Sequence, residues 1–240
     1  MVDDCSSAIV RGEVTRVCGL DIRVQLLNVA KRQGASFCRN LGAEQAQTEW
    51  LLFLDDDDQL CDDYLKVMDA LLHAHSEVSA WIPDVRNSMR RQMLPVSISD
   101  MQSFNRVGGC SGLMIRKTLF DGVGGFDAHF PSMQDWDLWI RLIDRQALYY
   151  SGVEGVVYDS HSTQKITHNL KAKYIGLRRL YFKHFDTRIR SARQEHLVRA
   201  WALRQLLEPS GPRLYRCIMR ILIWPKATIY YLKWYKFRSN

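Results

Sequence analysis

Apolar positions along this chain fall into two alternating patterns: short continuous runs, and longer stretches in which they return every three or four residues. Leu41 and Ala46 continue an apolar series begun at Phe37, which predicts a helix ahead of the apolar run 50–54, itself short enough for a buried strand. Beyond Asp58, the positions Tyr64, Leu65, Met68, Leu71 and Leu72 again recur at helical spacing, with Asp62 and Asp63 at the entry, where a helix dipole favours anions. Residues 113–115 predict another strand, and Gly122, Gly124 and Gly125 a turn. Trp136, Trp139, Ile140 and Ile143 then line a helix whose first turn holds Asp135. From Leu170 to about Leu207 the pattern is helical and basic, until Pro209, Gly211 and Pro212 break it. No internal repeat interrupts this order, and strands alternating with helices predict an α/β fold.

Composition narrows the class. The 240 residues, 47% hydrophobic and 25% charged, exclude a disordered chain or a polytopic membrane protein and suit one catalytic domain with an appendage. Cys5, Cys18, Cys38, Cys61, Cys110 and Cys217 form no C-x-x-C pair and have no His at zinc-ligand spacing, so free thiols in a reducing compartment are expected. Asp3 and Asp4 stand where an export signal would carry cations, which points to the cytoplasm. Charge is divided: of 33 Lys+Arg and 26 Asp+Glu, residues 1–170 hold 16 and 23, leaving 17 and 3 for residues 171–240. An acidic front suits a cation site, and a basic rear suits an anionic surface.

The chemistry concentrates after the first buried run. Asp55, Asp56, Asp57 and Asp58 follow Leu54 at a strand's carboxyl end, the edge where open α/β sheets bind ligands. On extended backbone, side chains two apart share a face, so Asp55 and Asp57 are expected to converge. A hard divalent cation would relieve their repulsion and hold phosphate oxygens opposite; a solvated acidic turn is the other reading of the same residues.

Four pieces, in order, resemble the family-2 inverting glycosyltransferases of GT-A fold, of the type that builds bacterial cell-envelope polysaccharide or the lipopolysaccharide core. Residues 2–6 (VDDCS) are similar to the family's nucleotide-contacting strand end, and Gly34 to Gly42, with Arg39 and Asn40 inside, to its RN segment. Leu54 to Asp58 is similar to its D-x-D motif. Gly124-Gly125-Phe126-Asp127 with residues 134–139 (QDWDLW) resembles its GGFDE…EDWDLW region. The resemblance implies a nucleotide-diphospho-sugar transferase with a Rossmann-like mixed sheet flanked by helices. It implies Asp57, helped by Asp55, as ligands of Mg²⁺ or Mn²⁺, with His161 near the metal or diphosphate. Asp4, Arg39, Asp55 and Asp56 would contact the donor, expected to be a UDP-sugar. Asp135 would be the general base, and Gly109, Ser111, Gln134 and Trp136 would lie toward the acceptor. Trp136 and Trp139, at helical spacing, also read as core, and Asp137 as structural.

The chain departs from that family in three places. Relatives open with an additional strand and helix before the VDDGS strand, so the first strand is expected to be missing and the product to be N-terminally truncated or catalytically impaired. Cys5 replaces a glycine, and Gln134 a glutamate. Three segments are expected: residues 1–168 catalytic, 169–212 a basic helical extension, and 213–240 a basic aromatic tail. That tail has seven Lys+Arg and no acid, and no run approaches the ~20 apolar residues of a membrane span. An amphipathic segment on the anionic inner face of the cytoplasmic membrane is expected, with a glycan or glycolipid acceptor and no nucleic acid. A haloacid-dehalogenase-type phosphohydrolase using Asp55 and Asp57 is the rival enzyme, though Asp58-Gln59 is not its usual continuation. A basic nucleic-acid or membrane adaptor is the non-enzymatic rival.

Overall fold

Period-two alternation in the central strands sorts the core onto two sides of a sheet. In the computed structural model, which describes residues 1–84, 93–97, 107–158, 169–180 and 183–184, five strands pair in one mixed sheet. They are β3 (Trp50–Leu52), β5 (Ala80–Asp84), β6 (Leu94–Pro95), β7 (Met114–Arg116) and β8 (Leu148–Glu154), in the order β3-β7-β5-β8-β6. β5 and β8 run parallel, and the other neighbours antiparallel. Pro83 falls where the β5–β8 register shifts, the position at which a sheet tolerates a residue without an N–H. Val2–Asp3 (β1) and Leu27–Asn28 (β2) form a separate parallel pair, and Asp58–Leu60 (β4) pairs with Val156–Tyr158 (β9).

On one face, Trp81 and Met114 pack with Tyr64 and Met68 of α3 (Tyr64–Ala74). On the other face, Ala80, Ile82, Leu113 and Ile115 meet α2 (Ala35–Gln45), α4 (Lys117–Gly122) and α5 (Gln134–Ile143) through Ala43, Phe120, Trp136 and Trp139. Helices on both faces of a mixed sheet are the α/β arrangement expected. α1 (Ala8–Cys18) buries no residue.

The anticipated elements appear with small displacements. The run 50–54 is hydrogen-bonded as a strand only to Leu52, although Phe53 still exchanges backbone bonds with Leu113 and Gly112 at 3.0 and 2.8 Å. The strand anticipated at 113–115 lies at Met114–Arg116. The basic helix is described as α6 (Leu170–Leu180), and its Leu177 and Leu180 enter the same core as α5, so packing continues past residue 168. Apart from residues 183–184, the rest of the stretch expected to be helical and the tail 213–240 lie outside the described residues.

Candidate active site

The first motif builds the approach to α2. Both carboxylate oxygens of Asp4 accept backbone N–H bonds, from Gln33 at 2.7 Å and Gly34 at 2.8 Å, which fixes the turn that launches α2 at Gly34 (φ 90°). Asp4, expected at the nucleotide-sugar donor, is thus committed to this turn through both carboxylate oxygens. Cys5, on the same strand end, has φ 62°, the left-handed region that glycine enters without penalty. That is the physical reason for glycine in the pattern this segment resembles.

Arg39 and Asn40, one residue apart on α2, face different partners. The Arg39 guanidinium donates to Asp55 Oδ1 from Nε (3.2 Å) and Nη2 (2.5 Å), and lies over the Phe126 ring, 5.3 Å from its centroid. Asn40 acts like a strand neighbour: its amide donates to Phe126 O at 2.7 Å, and its oxygen accepts from Phe126 N at 2.8 Å. Gly125 (φ 61°) is required beside it, because a Cβ there would stand 2.7 Å from Asn40 Oδ1. One dipeptide therefore ties the acidic loop and the glycine turn to the same helix.

The acidic residues form a turn, which corrects the extended geometry expected for Asp55 and Asp57. The Asp58 N–H donates to Asp55 O at 3.2 Å, and Asp56 and Asp57 occupy the exposed tip. Four adjacent carboxylates repel least when the backbone fans them apart, and β4 begins at Asp58 because its partner β9 captures it there. Ser111 holds the turn at both ends: its hydroxyl accepts from Asp55 N (3.0 Å) and donates to Asp58 Oδ2 (2.6 Å). Ser111 is buried, so its hydroxyl braces this turn instead of lying open to an acceptor. Gly109 differs, for a Cβ built on it meets nothing within 4 Å among the described residues.

Asp135 stands in the first turn of α5 and accepts the Trp136 N–H at 2.9 Å. Burial pushes its carboxyl up to about 6; the Trp136 N–H and the Arg39 charge pull it back, and Asp55 raises it further. Asp135, Arg39 and Asp55 thus form one electrostatic group, drawn from three motifs separated in sequence. Gln134 Oε1 is buried without a hydrogen-bond partner among the described residues. Trp136 and Trp139 are core residues, 4% and 0% exposed, as their spacing suggests, so the Trp136 ring is not an open acceptor platform. His161 lies outside the described residues.

Among the described residues, no three His, Cys, Asp or Glu side chains gather closely enough to cage a metal. A hard cation such as Mg²⁺ needs no such cage, since one or two carboxylates plus phosphate oxygens complete its shell. The exposed carboxylates at the tip fit that partial donor set.

Sequence reasoning missed Arg141, Lys183 and His184, all of which converge on buried Asp137. Arg141 was within reach of sequence, four residues after Asp137 on one helix face, whereas nothing local announces the other two.

A mixed sheet with helices on both faces and an acidic turn at a strand's carboxyl end is the arrangement of the GT-A-type fold, to which the comparisons assign the chain. The sequence pattern of Glycosyl transferase family 2 matches residues 1–129, and the chain belongs to that family. Among curated relatives, an uncharacterized glycosyltransferase of Haemophilus influenzae is 25% identical over 198 residues, covering 73% of this chain and 66% of the relative. The uncharacterized glycosyltransferase YwdF of Bacillus subtilis is 26% identical over 136 residues, covering 50% of this chain and 48% of its own length. The chain thus spans less than two thirds of either relative. Among solved structures, S. aureus TarS residues 1–349 with UDP-GlcNAc superposes with a TM-score of 0.61 at 15% identity, over 97% of this chain and 68% of that one. The mannosyltransferase PcManGT of Pyrobaculum calidifontis, with GDP-Man and Mn²⁺, gives 0.56 at 12%, over 96% and 72%. At such identities the likeness establishes the fold.

Proposed function

We propose that this chain transfers a sugar from a nucleotide-diphosphate donor, expected to be a UDP-sugar, to a hydroxyl of a cell-envelope glycan or glycolipid, with inversion and with Asp135 as general base. The observation that carries this reading is the Asp135–Arg39–Asp55 group: a carboxyl raised to about 6 beside a paired cation and the acidic turn. A base with that pKa is ionised at neutral pH yet still binds a proton well enough to take one from a hydroxyl. Its place in the first turn of α5 holds it firmly. Arg39 keeps Asp55 oriented at the donor side, and Gly109, where a Cβ would meet no described residue within 4 Å, is the side taken for the acceptor.

Asp57, at the exposed tip of the turn, would hold Mg²⁺ or Mn²⁺, which when bound supplies positive charge opposite the leaving diphosphate, while Asp55 stays paired with Arg39. The relatives' names and the nucleotide ligands of the structural neighbours support a nucleotide-sugar donor, and the Mn²⁺ of the mannosyltransferase supports a divalent ion. The family match leaves the phosphohydrolase reading without support. For the basic tail we propose contact with an anionic membrane face. No helix among the described residues is long and apolar enough to cross a membrane.

The test is a pair of variants in the same assay. Asp57→Ala is expected to abolish Mn²⁺-dependent uptake of UDP or GDP by calorimetry. Asp135→Asn is expected to keep that uptake while sugar transfer falls by about 100-fold or more. Equal transfer by Asp135→Asn and the unaltered chain would remove Asp135 from the base role.

A further inference from the structure

At the start of α5 the local side-chain bond is that of Asp135 to the Trp136 N–H, and the N-cap position adds none. The N-cap residue Met133 has a left-handed backbone (φ 68°) and makes no side-chain capping bond, yet the next turn carries two carboxylates, Asp135 and Asp137. Asp135 faces the candidate site, whereas Asp137 is fully buried, and an isolated ionised carboxylate there would be costly. Its surroundings offset that cost. Asp137 Oδ2 accepts from Arg141 Nε (3.0 Å) and Nη2 (2.7 Å), while Oδ1 accepts from His184 Nε2 (2.7 Å) and pairs with Lys183 Nζ (2.9 Å).

Each of these three partners makes a second connection, or sits on a segment that does. Arg141 also donates to Val123 O (2.6 Å) and Gly125 O (2.7 Å), gripping the glycine turn from the side opposite Asn40. Lys183 also donates to Asp127 Oδ2 at 2.7 Å, at the end of that turn. Lys183 and His184 follow α6, whose Gly176 lies so near Ser132, just ahead of α5, that a Cβ would be 2.3 Å from the Ser132 carbonyl oxygen. The residues before α5, its first turn and the glycine turn are therefore all held from the segment after residue 169.

We propose that Lys183 and His184 form a latch that, through Asp137, sets the pose of the first turn of α5 and so positions Asp135. The proposal rests on the reading of Asp135 as the base, and it makes His184 a positioning residue that touches neither donor nor acceptor. A bond to a buried charge cannot be lost without the helix start shifting or loosening, and Asp135 is two residues from it. A purely structural contact would lower stability and leave turnover per folded molecule unchanged.

His184→Ala and His184→Gln in the full chain separate these cases, since a Gln amide can still donate to Asp137. Amide hydrogen exchange at residues 134–138 and Mn²⁺-dependent release of UDP from UDP-GlcNAc, or of GDP from GDP-mannose, are the two readings. In His184→Ala, exchange at the first turn is expected to rise about tenfold, and kcat to fall about tenfold with donor KM unchanged. His184→Gln should return both to within about twofold. Unchanged exchange in His184→Ala overturns the latch. Faster exchange with full kcat overturns its link to Asp135. If the unaltered chain releases neither nucleotide while the exchange difference and its rescue persist, the latch stands and the reading of Asp135 as base falls.

Discussion

Asp135 shows how a side chain's surroundings set its chemistry. With its carboxyl raised from 3.8 to about 6, the folded chain keeps a proton through this window that the unfolded chain has released. Stability therefore falls as pH rises from about 4 to 6, and at neutral pH the ionised group costs about 3 kcal/mol. Asp135→Asn should unfold at higher denaturant than the unaltered chain at pH 7 and show little difference at pH 4, which chemical denaturation at the two pH values checks. For the unaltered chain, kcat/KM is expected to decline below about pH 6 as the base becomes protonated. Asp137, two residues on, has the opposite fate. Burial opposes its charge, but the His184 bond and the cations of Arg141 and Lys183 prevail and hold its carboxyl below the ordinary value. Helical spacing had marked Asp137 as structural, and the family resemblance had marked Asp135 as a base, but neither gave the partners that surround Asp137.

Between α2 and the glycine turn, fit depends on the absence of atoms as much as on their presence. Asn40 closes a two-point bond with the Phe126 backbone, and Gly125 leaves room for it. Asn40→Ala is expected to lower unfolding free energy by about 2 kcal/mol, because a buried N–H and C=O lose partners. Gly125→Ala should cost more than that in the unaltered chain, where backbone strain and the clash with Asn40 add, and only about 1 kcal/mol in the Asn40→Ala background. A double-mutant cycle by urea unfolding measures the difference, and strict additivity would show that the two elements do not meet through this contact. The glycines were legible in sequence as a turn. Their second purpose was not, since it depends on a helix more than 80 residues away.

At the scale of the whole chain, charge and fold divide in different places. The cationic surplus begins after residue 170, yet α6 is packed into the catalytic core, so electrostatic and structural boundaries do not coincide. The full chain is expected to sediment with anionic phospholipid vesicles at about 0.05 M salt and to be released near 1 M, where the Debye length has shrunk to about 3 Å. Binding that ignores salt would count against the basic tail. By itself the sequence determined the α/β alternation, the acidic loop, the α5 carboxylates and the family resemblance, because periodicity, turn residues and short motifs are properties of neighbouring positions. Tertiary structure alone decided that Arg39 pairs with Asp55, that Ser111 braces the acidic turn, and that Lys183 and His184 reach Asp137. Those contacts join residues 16 to 56 positions apart, and burial, not proximity along the chain, fixes their energies.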